Sequence, residues 1–153
     1  MSSLTNSHLI FVLFSFLLIL KTSSFGNHSS VDGFLPFAPK HVVITNRINT
    51  GVTLILHCRS KDKDFGIRAV AFLQSFDFKF HVNFLKTTRY TCTFNWPGHR
   101  ATFAIFRVDR DDSPRSKIGV CRECIWVIYE PGPCRLKRDG GPGGSLTCFE
   151  WDS

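Results

Sequence analysis

Apolar and polar residues alternate with a period of two along most of this chain, the pattern of a β-strand with one buried face. The clearest case is Phe76 to Phe84, FDFKFHVNF, where four Phe and one Val would share one face and polar residues the other. This segment is predicted to be a half-buried strand. The same alternation, or enrichment in β-branched and aromatic residues, predicts strands over 41–45, 52–58, 90–96, 101–108 and 125–129.

Turn-forming residues separate these segments, and no helical stripe of apolar residues is apparent. Asn49-Thr50-Gly51, Trp96-Pro97-Gly98-His99 and Pro131-Gly132-Pro133 are typical turn sequences, and Gly66 is expected at the left-handed position of a turn. Short strands between frequent turns predict an all-β fold, an antiparallel β-sandwich.

The N-terminal segment is expected to be a secretory signal peptide covering residues 1–26. Its apolar run, Leu9 to Leu20, contains no charge. At about 1.5 Å per residue it would cover about 18 Å, well short of the roughly 30 Å hydrocarbon core, so no stable membrane insertion is expected. Small residues follow at the positions that a cleavage site requires, either Ser24 with Gly26 or Thr22 with Ser24. We therefore expect a secreted, extracellular protein.

Three further segments follow the predicted signal peptide. Residues 27–39 lack periodicity and are expected to form a flexible arm, residues 40–137 a single domain, and residues 138–153 a Gly-rich C-terminal tail. Asn27 begins the sequon Asn27-His28-Ser29 and is a candidate glycosylation site.

All six Cys lie after residue 26, and an even number of Cys in a small exported chain indicates a disulfide framework. Cys121-x-x-Cys124 has a zinc-like spacing, but the intervals to the later Cys are unequal and no His pair accompanies them, so no metal is expected. Cys58 and Cys92 lie on the apolar faces of their strands and are expected to bond inside the sandwich. Three bridges can be connected in fifteen ways, and the sequence does not choose among them. The predicted disulfide residues are Cys58, Cys92, Cys121, Cys124, Cys134 and Cys148.

Four blocks in order, VVITNRI, LILHCRSKDKDFG, FDFKFHVNFLKTTRYTCTFNW and CRECIWVIYEPGPC, resemble the plant self-incompatibility protein family, the S-protein homologues. The resemblance covers about 42–136 and implies a secreted β-sandwich that acts as a ligand of a cell-surface receptor. The tail with Cys148 and the basic LKTTRY segment depart from the family pattern. The matching positions are Asn46, His57, Cys58, Ser60, Asp62, Asp64, Gly66, Cys92, Phe94, Trp96, Cys121, Cys124, Trp126 and Cys134.

Residues for catalysis are not grouped in the sequence. His57 is a candidate general base, but no nucleophile or carboxylate is spaced to work with it, so a structural His hydrogen-bonded within the sheet is the favoured interpretation. His81 and His99 are isolated. We therefore predict that the protein is not an enzyme and does not need a cofactor.

The chain carries a net charge of +7, and loss of residues 1–26 would remove Lys21 and leave +6. Acidic residues nearly cancel the basic ones in 59–64 and 107–115, so the net positive field is expected from 86–89 and 135–138. A solvated basic rim without a specific partner explains these charges equally well. The candidate partner-binding residues are Lys61, Lys63, Lys86, Arg89, Arg135, Lys137 and Arg138.

Two functions of different class fit these observations. The first is a non-enzymatic extracellular ligand, a monomer, that touches a receptor through polar loops and acts in cell–cell recognition. The second is a basic, disulfide-stapled protein that binds anionic cell-wall polysaccharide or a membrane surface, in defence. Nucleic-acid binding is not expected, because the alternation places most Phe inward and secretion separates the protein from nucleic acid.

Overall fold

The computed structural model describes residues 38–49, 51–137 and 144–153. The predicted signal peptide, residues 27–37 of the predicted arm with Asn27, and Arg138 lie outside the described residues.

Nine strands and one short helix make up the described chain. In sequence order they are β1 (Lys40–Asn46), β2 (Leu54–Arg59), β3 (Asp64–Val70), β4 (Ser75–Phe80), β5 (Arg89–Trp96), β6 (His99–Arg107), α1 (Val108–Asp111), β7 (Glu123–Tyr129), β8 (Gly132–Leu136) and β9 (Leu146–Cys148).

The strands form two sheets, in the orders β4-β1-β7-β8-β9 and β3-β2-β5-β6. Neighbouring described strands pair antiparallel except β1 and β7, which are parallel. These two strands are far apart in sequence, so no hairpin imposes an antiparallel arrangement on them. The predicted all-β class and the sandwich are confirmed.

The core is formed by the inward-facing residues of both sheets, as the alternation predicts. Val42 and Ile44 on β1, Phe94 on β5 and Trp126 and Ile128 on β7 are completely buried in one cluster. Burial of each large apolar side chain stabilises the fold by about 1.5–3 kcal/mol.

The structure differs from the sequence pattern at β4, which ends at Phe80. Phe84 lies beyond the strand in the following loop and is exposed, so the predicted strand face is too long. Alternation alone does not require backbone pairing, and β1, the partner of β4, offers no residue opposite the chain beyond Phe80.

Four elements are not predicted by the sequence pattern: β3, β8, β9 and α1. Gly66 has the expected positive φ of 68°, but it lies within β3 rather than in a turn. Gly132 begins β8 instead of a turn, and a Cβ there would lie 1.9 Å from the backbone oxygen of Phe149. Glycine at this position lets the C-terminal segment pass close to β8.

The C-terminal segment continues the sheet beyond the predicted domain boundary at residue 137. β9 pairs with β8, and Phe149 and Trp151 pack against the core. The segment is therefore part of the sandwich.

Three disulfides join all six Cys. Cys58–Cys92 links directly opposite residues of β2 and β5 in the core, and Cys134–Cys148 links β8 to β9. Cys121–Cys124 joins the end of the preceding loop to the start of β7. The Cys58–Cys92 bridge lies inside the sandwich, as its position on the apolar face predicts.

Candidate functional site

Two charged loops that are distant in sequence meet at one end of the sandwich. β2 and β5 pair antiparallel with Arg59 opposite Thr91. The loop that leaves β2 and the loop that enters β5 therefore emerge side by side. β4 also ends here, at Phe80, and supplies the third wall.

These segments surround an open groove of about 980 Å³, named here the basic groove. Phe80 and Tyr90 are buried in the core beneath it, with ring centroids 4.5 Å apart. The lining residues are Arg59, Ser60, Lys61, Asp62, Lys63, Lys79, Phe80, His81, Asn83, Leu85, Thr87, Thr88, Arg89, Tyr90 and Thr91.

The charges of the basic groove are strongly unbalanced. Of the described residues that line it, five are Lys or Arg and one, Asp62, is acidic. Arg89 lies 3.9 Å from Asp152, and the Lys63 ammonium lies 5.0 Å from the centre of the Phe65 ring. Since the remaining three cations form no ion pair within the described chain, the groove presents a positive potential to solvent. These three are Arg59, Lys61 and Lys79.

Local hydrogen bonds hold the β2–β3 loop in place. The Ser60 hydroxyl accepts hydrogen bonds from the backbone N–H groups of Asp62 (3.3 Å) and Lys63 (3.0 Å), and the Ser60 N–H donates to the Lys63 carbonyl (2.7 Å). A Ser hydroxyl used in this way stabilises a turn. The ammonium groups of Lys61 and Lys63 are thus carried by a defined backbone.

The structure brings together three of the seven candidate partner-binding residues. Lys61, Lys63 and Arg89 line the basic groove. Lys86 lies in the loop that leads to Arg89, the first residue of β5, but forms an ion pair with Asp112 at 2.8 Å. Lys137 lies just beyond β8, where its backbone N–H donates to the carbonyl of Ser145.

Arg135 is not a partner-binding loop residue, and the prediction for it is corrected. It lies on β8 with 2% of its surface exposed, in an ion pair with Asp111, and donates to the carbonyl of Gly119 at 2.7 Å. Burial lowers the pKa of Arg135, and the charge of Asp111 opposes that shift. Its charge is therefore used inside the protein.

Sequence reasoning missed Arg59, Lys79 and His81 as groove residues. Lys79 alternates with buried Phe on β4 and looks like an ordinary solvent-facing strand residue. One signal was present: Cys58 and Cys92 on apolar strand faces are compatible with β2 and β5 as neighbours, and that pairing brings the two charged loops together.

His57 has a carboxylate partner that the sequence spacing did not reveal. Its Nε2 lies 2.6 Å from Asp64 Oδ1, because β3 returns antiparallel beside β2. The Gly66 backbone N–H, at 2.7 Å, and the His57 ring hold the pKa of Asp64 below its usual value of 3.8. No hydroxyl or thiol of the described residues is hydrogen-bonded to His57, and every Cys is in a disulfide. The pair joins β2 to β3 and lacks an attacking group.

Within the described ranges, no group of three or more His, Cys, Asp or Glu is arranged to hold a metal ion. None of the helices in the described part of the chain has the length and apolar character needed to cross a membrane.

Comparison with known proteins identifies the family. The family model of plant self-incompatibility protein S1 matches residues 41–151. S-protein homolog 5 of Arabidopsis thaliana is 37% identical over 80% of this chain and 87% of its own length. S-protein homolog 3 of the same plant is 41% identical over 74% of this chain and 73% of its own.

A solved structure has the same fold. It is a Self-Incompatibility Protein Homologue, described as belonging to a widespread family of small, highly stable, secreted proteins from plants. The TM-score is 0.50 at 19% identity, with 76% of this chain and 97% of that chain covered. The family match thus extends over β9 and the C-terminal segment as well as the four sequence blocks, and this chain belongs to the plant self-incompatibility protein S1 family.

Proposed function

We propose that this protein is a secreted, non-enzymatic ligand in cell–cell recognition, and that its basic groove receives an acidic segment of a cell-surface receptor. The main observation in support is that five cationic side chains surround a single groove at one end of the sandwich. They are Arg59, Lys61, Lys63, Lys79 and Arg89. A rigid scaffold that presents charged loops is sufficient for recognition and needs no reacting group.

Family membership supports the extracellular setting. The S-protein homologues are small secreted plant proteins and are not a known enzyme family. The three disulfides suit an oxidising compartment. The His57–Asp64 pair, without a nucleophile, supports a binding role over catalysis.

The direct test reverses the groove charges. We expect Lys61→Glu with Lys63→Glu, and separately Lys79→Glu with Arg89→Glu, to weaken binding of labelled protein to plant protoplasts by about tenfold or more, equivalent to about 1.4 kcal/mol. Circular dichroism and melting curves verify that each variant folds. Unchanged binding by both folded variants contradicts the proposal.

A matched control is available at the opposite end of the strands. Arg47 follows β1, whereas Lys79 faces His41 near the start of that strand. Arg100 faces Asn95 near the end of β5, whereas Arg89 begins it. Arg47→Glu with Arg100→Glu changes the net charge by the same amount, so we expect it to keep normal binding if the groove, not total charge, is recognised.

A second candidate ligand is an acidic cell-wall polysaccharide. The groove is open, and its walls carry the polar side chains of Ser60, Asn83, Thr88 and Thr91 beside the cations, which suits a carboxylated sugar chain. Polygalacturonate would then compete for binding to intact walled cells, and binding would be lost on protoplasts and at high salt. A receptor interface with a desolvated centre persists on protoplasts and partly survives salt.

A further inference from the structure

The loop between β4 and β5 contains a tightly braced turn at residues 83–86. The Lys86 N–H donates to the Asn83 carbonyl at 3.0 Å, and Lys86 has a positive φ of 57°. The Asn83 side chain accepts from the Thr87 N–H (2.8 Å) and donates to the Thr87 hydroxyl (2.7 Å). The Asn83 N–H donates to the Thr88 hydroxyl at 2.8 Å. These hydrogen bonds hold the turn in a defined conformation in the free protein.

The two central residues of this turn are large and apolar. Phe84 is 85% exposed and Leu85 is 76% exposed. Central turn positions ordinarily carry Gly, Asn, Asp or Pro, because these residues suit the backbone conformation of a turn. Exposed Phe and Leu on a rigid turn gain nothing for the folded monomer, whereas paired apolar anchors are what a binding interface uses at its centre.

An ion-pair arrangement fastens the turn to the body of the sandwich. Lys86 Nζ lies 2.8 Å from one oxygen of Asp112, and Lys40 Nζ on β1 lies 2.5 Å from the other. Leu85 itself lines the basic groove. The apolar tip and the positive groove are therefore continuous parts of one surface.

We propose that Phe84 and Leu85 form an apolar anchor that inserts into a hydrophobic pocket with an acidic rim on a protein partner. The inference deepens the proposed function, on which it rests, by adding the anchor that the groove lacks. Charge complementarity selects the acidic rim, because the surface around the anchor is basic. The braced turn favours a protein pocket, since a fixed geometry lowers the entropy cost of docking into a shaped site.

A lipid bilayer is the other class of surface that takes up exposed Phe and Leu. Two features favour a protein. Anionic lipids that attract Lys and Arg are concentrated in the cytoplasmic leaflet, away from a secreted protein. Insertion into fluid lipid also gains little from a braced turn, because lipid adapts to any exposed apolar side chain.

The first experiment removes the anchor. We expect Phe84→Ala with Leu85→Ala to weaken binding to protoplasts by about thirtyfold or more while the fold and melting temperature are retained. Ile67→Ala is the matched control, because Ile67 is 72% exposed but lies on β3 outside the turn, and it should bind like the parent. Parental binding by the folded double variant overturns the proposal.

The second experiment loosens the turn while keeping both apolar side chains. Asn83→Ala removes the side-chain bonds to Thr87, so binding to a protein pocket should fall several-fold. Vesicles of phosphatidylcholine alone, and with about a third phosphatidylglycerol, provide the lipid arm. We expect the parent to bind neither kind of vesicle. Vesicle binding that depends on Phe84 and Leu85 but not on Asn83 identifies lipid and overturns the proposal.

The outcomes separate this inference from the proposed function. Both the proposed function and the anchor require a protein partner, so treatment of protoplasts with protease should abolish binding of the parent protein. If the groove reversals lose binding and the anchor variant does not, the receptor ligand stands and the anchor fails. If binding survives protease, both fail.

Discussion

The basic groove and the cluster around Asp111 use the same charged residue types in opposite ways. In the groove, Lys61 and Lys79 face solvent and form no ion pair within the described chain. In the cluster, Asp111 is fully buried between Arg110 and Arg135, and the Arg110 guanidinium also stacks 4.6 Å from the Trp126 ring centre. The groove charges are available to a partner, whereas the cluster charges form ion pairs inside the protein.

The difference shows why a basic run in a sequence does not define a binding surface. Arg135-Leu136-Lys137-Arg138 is the densest basic run of the chain, yet Arg135 faces the interior of the protein. A charge that the fold both buries and pairs with a counter-ion is not available to a partner. The distinction depends on packing, and each of the following predictions tests it.

The largest effect is expected from breaking the buried cluster. Asp111→Ala leaves the guanidinium groups of Arg135 and Arg110 without their carboxylate, and should lower the free energy of unfolding by about 3–5 kcal/mol. Urea denaturation measures the loss. Asp62→Ala, the acidic residue of the groove, is the matched control and should change stability by no more than about 0.5 kcal/mol. Similar stabilities for the two variants would remove the contrast between the regions.

The next effect distinguishes the two cross-strand disulfides. Cys58–Cys92 closes 34 residues and Cys134–Cys148 closes 14, so loop-closure entropy predicts stabilisations of about 4 and about 3 kcal/mol. The first bridge is also fully buried, whereas Cys148 is exposed. Replacing Cys58 and Cys92 by Ala should therefore lower the melting temperature more than replacing Cys134 and Cys148 by Ala. Equal melting losses would contradict both the loop-length difference and a contribution from the core position of the Cys58–Cys92 bridge.

The fold was largely predictable because alternation directly reports which strand face is buried. β1, β2, β5, β6 and β7 appear at their predicted places. β3 and β8 were missed for a physical reason: β3 is an exposed edge strand with little apolar pattern, and β8 is buried at nearly every position and carries Pro133.

The candidate site was predictable only in part. Lys61, Lys63 and Arg89 could be chosen from charge. Their convergence with Lys79 depends on strand pairing, and the burial of Arg135 depends on Asp111, which is 24 residues away. Charge patterns carry no information on such long-range partners.

An intermediate effect is expected at Asp112, which connects buried Lys40 to Lys86 beside the groove. Burial alone would raise the pKa of Asp112, but hydrogen bonds from Lys40 and Lys86 outweigh it and lower the pKa below 3.8. A lowered pKa in the folded state means that this stabilisation is fully present above pH 3.8 and is lost as pH falls through the folded-state pKa.

Asp112→Asn should therefore lower stability by about 1–3 kcal/mol at neutral pH and by progressively less below pH 3.8. Melting curves of parent and variant across acidic pH measure the convergence. A gap that stays constant down to the lowest pH would show that the carboxylate charge does not contribute.

The smallest effect is expected at His57, which forms a hydrogen-bonded pair with Asp64 at the protein surface. The His57–Asp64 contact joins β2 to β3, and surface pairs of this kind contribute little because water screens them. His57→Gln should therefore bind protoplasts like the parent, since His57 does not line the basic groove. The same binding assay used for the groove reversals measures it, with circular dichroism to verify folding. If folded His57→Gln loses all binding while both groove reversals bind normally, then recognition does not reside in the groove charges, and His57 with Asp64 must be considered as a reacting pair.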